Sequence, residues 1–529
     1  MLSRAPFAWL TLLAACSAAD VADDDLADEA ALEGSSVDVI FSPQPAASTH
    51  TVRIAQLIAD ARYSVDVAMY SFSDAEVARA LEAAVARGVK VRMIFETAGE
   101  DTRLTGDAKA NSKSGRLESK GIDVRYVNKI MHHKFVIVDG PRDVKSRART
   151  AKVASGSANW SGGAGTKYDE NTMFFSKVPE LTLRLQREFD HLWSHSRDFA
   201  LATPIAQELS TLAIPDSLIP NDKNVDALFT SDNFKVTDTT FSTNAKNTIS
   251  DALVLAIKGA NESIHIASGH LRSRPVALAL MEKKQASPNV DIRVYLDGQE
   301  FISVTGHNEQ QAKLDGCLAD AGANESKQRK CTDKGFLYGY AVGKAGVDVR
   351  YKYYAYRWDA SYAKQMHNKF FLIDKKTLFS GSYNLSDNAE HETFENVLVF
   401  RAPKHSALIN AFEERFSTLW DTGRDGTFAR VKSTIATAGT IPLVFDASAL
   451  THDEVTSLKR LIRDNCPAAD SAAYRQDAAG HQSCPRGRPG TGSTAGRAAG
   501  AGGAARRRGG RWRRMTTRLS CGQARGRAC

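Results

Sequence analysis

The chain carries one arrangement of phosphate-binding and proton-transferring residue types twice. The first copy consists of His132, Lys134, Asp139, Gly156, Ser157, Asn159 and Glu170. The second copy consists of His367, Lys369, Asp374, Gly381, Ser382, Asn384 and Glu395. In both copies the glutamate follows the asparagine by 11 residues and is itself followed by a second asparagine. Chance does not readily produce two copies with matched spacing, so we interpret them as two halves of one site for phosphate chemistry.

The residue types suit cleavage of a phosphodiester through a covalent intermediate, without a metal. Each histidine and the lysine two positions later precede an apolar run typical of a buried strand, so both side chains point to the same face. An imidazole can then act as nucleophile or acid beside a fixed positive charge. Glycine lets the backbone approach closely, and serine and asparagine supply neutral donors to the phosphoryl oxygens. The later glutamates can accept a hydrogen bond from a histidine Nδ1–H and orient the ring.

Three residues of the motifs are ambiguous from sequence. Asp139 and Asp374 are candidate catalytic residues, but their position at the end of a strand also fits a structural role through ion pairing. His133 lies on the opposite strand face from His132, and we expect it to be structural.

Further segments repeat in the same order around the motifs. The matched pairs are Val37–Phe41 with Val225–Phe229, Ile54–Met69 with Ile249–His265, Gly88–Phe95 with Asn289–Leu296, and Gly121–Tyr126 with Gly346–Tyr351. Helical and strand patterns alternate within each copy, which indicates α/β layering. We predict two α/β domains over residues 36–205 and 225–445, a linker over 206–224 and a C-terminal helix over 446–470.

Two insertions distinguish the halves. The stretch between Asp139 and Gly156 is long in the first half and contains the arginine-rich segment Arg142–Arg149. In the second half, an aromatic stretch precedes His367; its members are Tyr351, Tyr353, Tyr354, Tyr356, Trp358 and Tyr362. These aromatic residues either cover core or form a wall that contacts substrate or membrane, because Tyr and Trp favour apolar–polar boundaries.

The two ends of the chain differ in composition from its body. Residues 1–19 resemble an export signal, and Leu13 to Cys16 resembles a lipobox whose cysteine becomes acylated; ordinary cleavage after Ala19 is the alternative. An acidic, disordered linker is expected over 20–35. Residues 471–529 form an Arg/Gly/Ala-rich tail, which we interpret as a frameshift product; a basic tail that binds anionic lipid or nucleic acid is the alternative.

Charge and cysteine content narrow the function classes. The formal net charge is +8, but residues 485–529 contain twelve arginines and no acid, and the body of the chain is close to neutral. A general nucleic-acid binder is therefore not favoured. Export would allow disulfides, and Cys317 can pair with Cys331 or stay free, while a Cys466–Cys484 bridge is less secure. No C-x-x-C occurs, so a zinc site has no support.

The paired motifs resemble those of the phospholipase D superfamily, known for its HKD signature, over nearly all of residues 36–430. The resemblance implies two mixed sheets flanked by helices, facing each other across a pseudo-two-fold axis with the site at their interface. It implies a phosphohistidine intermediate, with His132 favoured as nucleophile and His367 as acid and base. It also implies no metal or cofactor, and a monomer with both motifs in one chain.

The substrate stays open at this level. We expect a phospholipid at a membrane surface, hydrolysed to phosphatidic acid, because the chain carries an export signal, its body is nearly neutral and the second half has an aromatic insertion. Nucleic acid is the alternative substrate, since residues 64–74 resemble the nuclease branch of the superfamily. A cardiolipin synthase-like phosphatidyl transferase ranks third. A non-enzymatic scaffold would need a broken motif, and both motifs are intact.

Overall fold

The computed structural model describes residues 36–200, 214–332, 335–356, 358, 362–431 and 444–465, together with residues 471, 472 and 475. The predicted signal peptide, its Cys16, the acidic linker, the Cys466–Cys484 pair and nearly all of the arginine-rich tail lie outside these residues. The same is true of positions 206–213 of the predicted linker. Within the described residues, no helix combines the length and apolarity needed to cross a bilayer.

The first half is built on an eight-stranded mixed sheet. Its strands are β1 (Ser36–Ser42), β2 (Ser64–Met69), β3 (Lys90–Phe95), β4 (Asp123–Tyr126), β6 (Lys134–Val138), β7 (Lys152–Gly156), β8 (Glu170–Ser176) and β9 (Arg197–Asp198). Their order is β1-β8-β7-β6-β2-β3-β4-β9. Strands β2, β3 and β4 are parallel, and the other pairs are antiparallel. Every residue of β2 is buried, as expected for a parallel strand covered on both faces.

The second half repeats this topology. Its strands are β10 (Val225–Phe229), β13 (Ser263–Ser268), β14 (Asp291–Asp297), β15 (Asp348–Ala355), β16 (Lys369–Ile373), β17 (Thr377–Gly381), β19 (Asn396–Arg401) and β20 (Val444–Thr451). Their order is β10-β19-β17-β16-β13-β14-β15-β20, which matches the first sheet position by position. A separate hairpin pairs β11 (Phe234–Thr237) with β12 (Thr240–Thr243). The predicted pair of mixed α/β domains is therefore confirmed.

Helices flank both sheets. Those of the first half are α1 (His50–Ala59), α2 (Ala75–Ala86), α3 (Glu96–Asp101), α4 (Gly106–Ala110), α5 (Lys113–Ser119), α6 (Gly162–Thr166) and α7 (Pro179–Ser194). Those of the second half are α8 (Thr248–Gly259), α9 (Arg274–Ala286), α10 (Val304–Ala321), α11 (Glu325–Thr332), α12 (Gly339–Lys344), α13 (Asp387–Glu392), α14 (Ser406–Asp421) and α15 (His452–Asp464). Local signals start them: the Asp74 carboxylate, for example, accepts the Glu76 and Val77 N–H groups at the beginning of α2.

The two halves share one hydrophobic core. Apolar residues from the inner faces of both sheets and from α7 and α14 form a single buried cluster. Within it, the Phe412 ring packs edge-on against Phe41 and Phe370, at centroid distances of 4.9 and 5.0 Å. Two short strands, β5 (Ile130–Met131) and β18 (Thr393–Phe394), also pair in parallel across the boundary. Because this apolar area is buried between the halves, a displacement of one half relative to the other would expose it to water.

Two predictions about the second half need correction. Residues 446–451 belong to β20, the edge strand beside β15, and not to the predicted C-terminal helix. The helix α15 starts only after Thr451, whose side chain forms a capping box with Glu454. The sequence comparison also missed a third insertion, which contains α10 and α11. The disulfide between Cys317 and Cys331 joins these helices, with a Cα–Cα distance of 5.7 Å, so the bridge allowed by the sequence is present.

The arginine-rich insertion of the first half has a structural role. Arg142 is fully buried and pairs with Asp66, a carboxylate on β2 that also receives Arg92 Nε at 2.8 Å. Burial disfavours the ionised carboxyl, but the two guanidinium groups overcome this effect and lower the pKa of Asp66 to about 2. Arg92 also contacts Asp190 of α7 at 2.8 Å. The insertion thereby contributes a positive charge that balances two buried acids.

We expect Arg142→Met to destabilise the protein by about 3–5 kcal/mol, because it leaves Asp66 with one guanidinium partner in a buried site. Urea unfolding of the full chain, followed by tryptophan fluorescence, measures the change. Arg149→Met, in the same insertion but half-exposed, is the matched control and should cost less than about 0.5 kcal/mol. Equal effects of the two substitutions would contradict a specific role for Arg142.

Candidate active site

Each motif histidine stands just before a central strand and is fixed by backbone bonds to the other half. His132 precedes β6, and its N–H donates to the Phe394 carbonyl at 3.1 Å. His367 precedes β16, and its N–H donates to the Asp169 carbonyl at 2.9 Å. Both carbonyl groups come from the opposite half of the chain. The structure thus brings the two histidines to the boundary between the sheets.

Two carboxylates, one from each half, orient the motif histidines in a crossed arrangement. His132 Nδ1 lies 2.8 Å from the carboxylate of Glu395, which belongs to the second half. His367 Nδ1 lies 2.7 Å from Glu170 Oε1, which belongs to the first half. A carboxylate accepts hydrogen bonds, so each ring carries its proton on Nδ1 and presents the Nε2 lone pair. The sequence predicted that these glutamates orient histidines, and the structure adds that each one orients the histidine of the other half.

The serines of the GSxN segments support the carboxylates and do not face a substrate. Ser157 Oγ donates to Glu170 Oε2 at 2.7 Å, and Ser382 Oγ donates to Glu395 Oε2 at 2.6 Å. Each serine also accepts the N–H of the asparagine that follows its glutamate. The prediction that the serines bind phosphoryl oxygens directly is therefore replaced by a supporting role.

The glycines of these segments allow strand packing. A Cβ on Gly156 would lie 2.3 Å from the Asn171 carbonyl oxygen, and one on Gly381 would lie 2.1 Å from that of Asn396. Any side chain at these positions would push the neighbouring strand away. The close approach predicted from sequence is thus to the strand that carries the glutamate.

Asn159 and Asn384 remain candidates for contact with the phosphoryl group. Both are half-buried, and their side-chain Oδ1 atoms are buried without a hydrogen-bond partner within the described residues, so neither amide is committed to a neighbour through its oxygen. His50 fixes the first of them, since its Nε2 lies 2.9 Å from the Asn159 carbonyl. Sequence analysis missed His50, because a single histidine at the start of a helix carries no recognisable signal.

The two motif lysines are buried and donate hydrogen bonds to the backbone of the motif histidines. Lys134 Nζ donates to the His132 carbonyl and Lys369 Nζ to the His367 carbonyl, both at 2.8 Å. Burial lowers the pKa of Lys134 to about 7 and that of Lys369 to about 8. Each lysine amino group lies beside a buried imidazole and a buried carboxylate. A phosphoryl oxygen bound there would accept the hydrogen bonds that burial prevents water from accepting.

Burial and these lysines also control the histidines. Burial, assisted by the ammonium charges, holds the pKa of His132 and His367 well below the usual range. Burial raises the pKa of Glu170 and Glu395 to about 7. The lowered pKa favours the neutral imidazole, which is the form a nucleophile requires.

Asp139 and Asp374 lie away from the reacting histidines. The Asp139 carboxylate accepts the backbone N–H groups of Arg62, Tyr63 and Ser64 at 2.7–3.1 Å. Asp374 does the same with residues 261–263 at 2.7–3.0 Å. Seven residues of extended chain place each aspartate about 20 Å from its histidine. Their candidate catalytic role is replaced by a structural one, with backbone amides in place of the expected ion pair.

The residues that directly follow the motif histidines, His133 and Asn368, also form hydrogen bonds to the opposite half. His133 Nδ1 contacts Asn396 Oδ1 at 3.1 Å, and its Nε2 contacts Glu188 at 3.1 Å. In the matching position of the other half, Asn368 Oδ1 accepts from Asn171 Nδ2 at 3.0 Å. His133 is therefore structural, as predicted.

A further pair of carboxylates was not predicted. Glu96 accepts the N–H of Met131 at 2.6 Å, and Asp297 accepts that of Met366 at 2.8 Å. Each of these methionines directly precedes a motif histidine. Glu96 directly follows β3 and Asp297 is the last residue of β14, so only the alignment of the two repeats marks them in the sequence.

The aromatic stretch before His367 has a buried part and an exposed part. Tyr351, Tyr353 and Tyr354 are buried in β15, whereas Trp358 is 43% exposed. The later part borders a cavity of about 240 Å³ lined by Lys352, Tyr353, Tyr354, Tyr356 and Trp358, among others. The start of the stretch thus covers core, and its end faces solvent.

We expect Asp139→Asn to lower stability by about 1–3 kcal/mol, because a neutral amide accepts less strongly from the three N–H groups. Substrate turnover should stay within about twofold of the unaltered protein, since the side chain does not reach the histidines. Thermal unfolding and steady-state kinetics of the same preparation test this. A large fall in kcat with unchanged unfolding would contradict the structural role.

Comparison with known proteins agrees with the geometry. A family model described as "Cardiolipin synthase, PLD-like domain" matches residues 54–193 and 253–420, more than half of the chain. Mitochondrial cardiolipin hydrolase from Danio rerio is 35% identical over 147 residues, covering 27% of this chain and 57% of that protein. The Homo sapiens protein of that name is 30% identical over 143 residues, covering 27% and 50%. The chain thus spans little more than half of these relatives.

Two solved structures match this chain at low overall similarity. Nuc from Salmonella typhimurium, a phospholipase D family member, is 28% identical with a TM-score of 0.25, covering 31% of this chain and 97% of that one. Phosphatidylserine synthase from Haemophilus influenzae is 11% identical with a TM-score of 0.46, covering 84% and 93%. The family match agrees with the repeated motifs and the paired mixed sheets, and the chain belongs to the phospholipase D superfamily.

Proposed function

We propose that this protein is a phospholipase D-type enzyme that hydrolyses a phospholipid to phosphatidic acid and a free alcohol. The observation that carries the proposal is the pair of buried imidazoles, each held at Nδ1 by a glutamate from the other half. Two such rings beside two ammonium groups can bind an anionic diester and attack its phosphorus without a metal.

The first step forms a phosphohistidine. The Nε2 lone pair of His132 attacks phosphorus, an N–P bond forms, and the P–O bond to the leaving alcohol breaks. The leaving oxygen takes a proton from Nε2 of His367. That ring must gain this proton on substrate binding, and the anionic diester favours the gain because it offsets the charges of Lys134 and Lys369. The Glu395 carboxylate balances the positive charge that develops on the His132 ring.

The second step reverses the roles. A water oxygen attacks phosphorus and gives its proton to His367 Nε2, while the N–P bond to His132 breaks. Phosphatidic acid leaves, and His367 again carries the proton for the next turnover. An alcohol in place of water would give transfer to a new head group by the same path.

Two observations support His132 as the nucleophile. Its side chain is 8% exposed, against 19% for His367, so the second ring is better placed to exchange protons with water. The Tyr70 ring also packs edge-on against His132, at a centroid distance of 4.6 Å, and limits its rotation.

The choice of lipid over nucleic acid rests on several supports. The matching family model carries a cardiolipin synthase description, and the curated relatives bear the name cardiolipin hydrolase. The body of the chain lacks the strong positive charge usual in nucleic-acid channels. We further propose a place of action at the bacterial cell envelope, as a lipoprotein or secreted protein, on the strength of the leader-like residues 1–19 alone.

Parallel assays of the full chain in EDTA test the proposal. Vesicles of phosphatidylcholine, phosphatidylglycerol or cardiolipin, and single-stranded DNA, are incubated separately. We expect phosphatidic acid from at least one lipid and intact DNA. Quenching in alkaline denaturant, in which an N–P bond survives, with a lipid labelled at phosphorus should leave the label on His132.

Variants sharpen the assignment. His132→Ala should abolish both label and turnover, and His367→Ala should lower turnover at least 100-fold. His195→Ala, at the end of α7, is the control and should retain full turnover. Cut DNA with untouched lipid would replace the proposal by a nuclease, and cardiolipin formed from phosphatidylglycerol would replace it by a transferase. Full activity in either motif variant would contradict the mechanism.

A further inference from the structure

The two sides of the site differ where the backbone is otherwise equivalent. The Tyr70 N–H donates to the His133 carbonyl at 3.0 Å, and the Gly269 N–H donates to the Asn368 carbonyl at 3.2 Å, so these positions correspond. Tyr70 places an aromatic ring beside His132 and within 5.1 Å of Lys134 Nζ. No side chain fits at Gly269, because a Cβ there would lie 2.9 Å from the Met366 carbonyl oxygen.

At the next position the second half carries the larger side chain. His270 is a third histidine at the site, whereas the corresponding position in the first half is Ser71. Its Nδ1 lies 3.0 Å from Glu300 Oε1, and Arg272 donates to the same oxygen through Nε at 2.9 Å and Nη2 at 2.6 Å. The Glu300 side chain is completely buried. Two basic side chains therefore converge on one buried carboxylate.

This group borders His367. The residue before His270 is Gly269, whose backbone lies next to that of His367. A Cβ added to Gly269 would lie 3.8 Å from the His367 Cα. The side chains of His270 and Arg272 are each 30% exposed, so a ligand can reach them.

The free atoms of the group have complementary polarity. With Nδ1–H donated to Glu300, His270 Nε2 presents an acceptor, and it has no hydrogen-bond partner within the described part of the chain. Arg272 uses Nε and Nη2 on Glu300, which leaves the N–H groups of Nη1 as donors. A hydroxyl group can donate to such an acceptor and accept from such a donor.

We propose that His270 and Arg272, oriented by Glu300, bind the leaving alcohol, and that this alcohol carries a further hydroxyl group, as glycerol does. The inference rests on the proposed function. In an in-line displacement the leaving oxygen departs opposite the nucleophile, on the side of the acid, which is the His367 side bordered by His270. A choline head group offers no hydroxyl donor to His270 Nε2.

Competing substrates test this subsite with the full chain. Vesicles of phosphatidylglycerol and of phosphatidylcholine are compared with bis(4-nitrophenyl) phosphate, whose leaving group has no hydroxyl. The unaltered protein should prefer phosphatidylglycerol in kcat/KM. His270→Ala should lower kcat/KM for phosphatidylglycerol about 10-fold, mainly through KM, and leave the nitrophenyl diester within about twofold.

Two variants guard against an indirect effect. His270→Gln, which keeps an acceptor, should recover part of the preference, and Ser71→Ala, at the corresponding position, should leave the preference unchanged. Equal losses on the lipid and the nitrophenyl diester would overturn the subsite, because His270 would then act only through His367. Preference for phosphatidylcholine would also overturn it. Cleavage of the nitrophenyl diester with no lipid turned over would instead refute the proposed function itself, and the subsite with it.

Discussion

The structure depends on two hydrogen bonds that run in opposite directions across one boundary. Glu395 of the second half orients His132 of the first, and Glu170 of the first half orients His367 of the second. Neither half can set the tautomer of its own histidine. The shared core and the β5–β18 pair therefore serve the chemistry, because a shift between the sheets would break both bonds together.

The same arrangement explains how six ionisable groups can be buried together. Two lysines, two glutamates and two histidines compensate one another, and burial brings the pKa of the lysines and glutamates toward neutrality. Such a site gains from an anionic diester, whose charge the ammonium groups can balance. These six groups form an inner layer that is the same in both halves. The residues around them form an outer layer that differs, because Tyr70 borders His132 whereas His270 borders His367. Under the proposed function, the inner layer carries out the reaction and the outer layer selects the leaving alcohol.

Sequence reasoning succeeded wherever a local pattern repeats. The repeated segments predicted two similar α/β domains and the site histidines, lysines and glutamates, and the resemblance to the phospholipase D superfamily implied mixed sheets with the site between them. Sequence reasoning could not predict that each glutamate binds the histidine of the other half. The alternation of side chains along a strand shows which face of the sheet a residue occupies, but not which residue it meets across an interface. Asp139 illustrates a second limit: a carboxylate at a strand end looks the same in sequence whether it binds substrate or three backbone amides. The buried role of Arg142 was hidden for a similar reason, since its partner Asp66 lies 76 residues away.

Histidine tautomers measured by NMR test the central claim most directly. In protein labelled with 15N-histidine, we predict that His132 and His367, assigned by their alanine variants, both carry the proton on Nδ1. Glu395→Gln should remove the fixed tautomer of His132 and preserve that of His367, and Glu170→Gln should do the reverse. If each substitution instead released the histidine of its own half, or neither ring changed, the crossed arrangement would be contradicted.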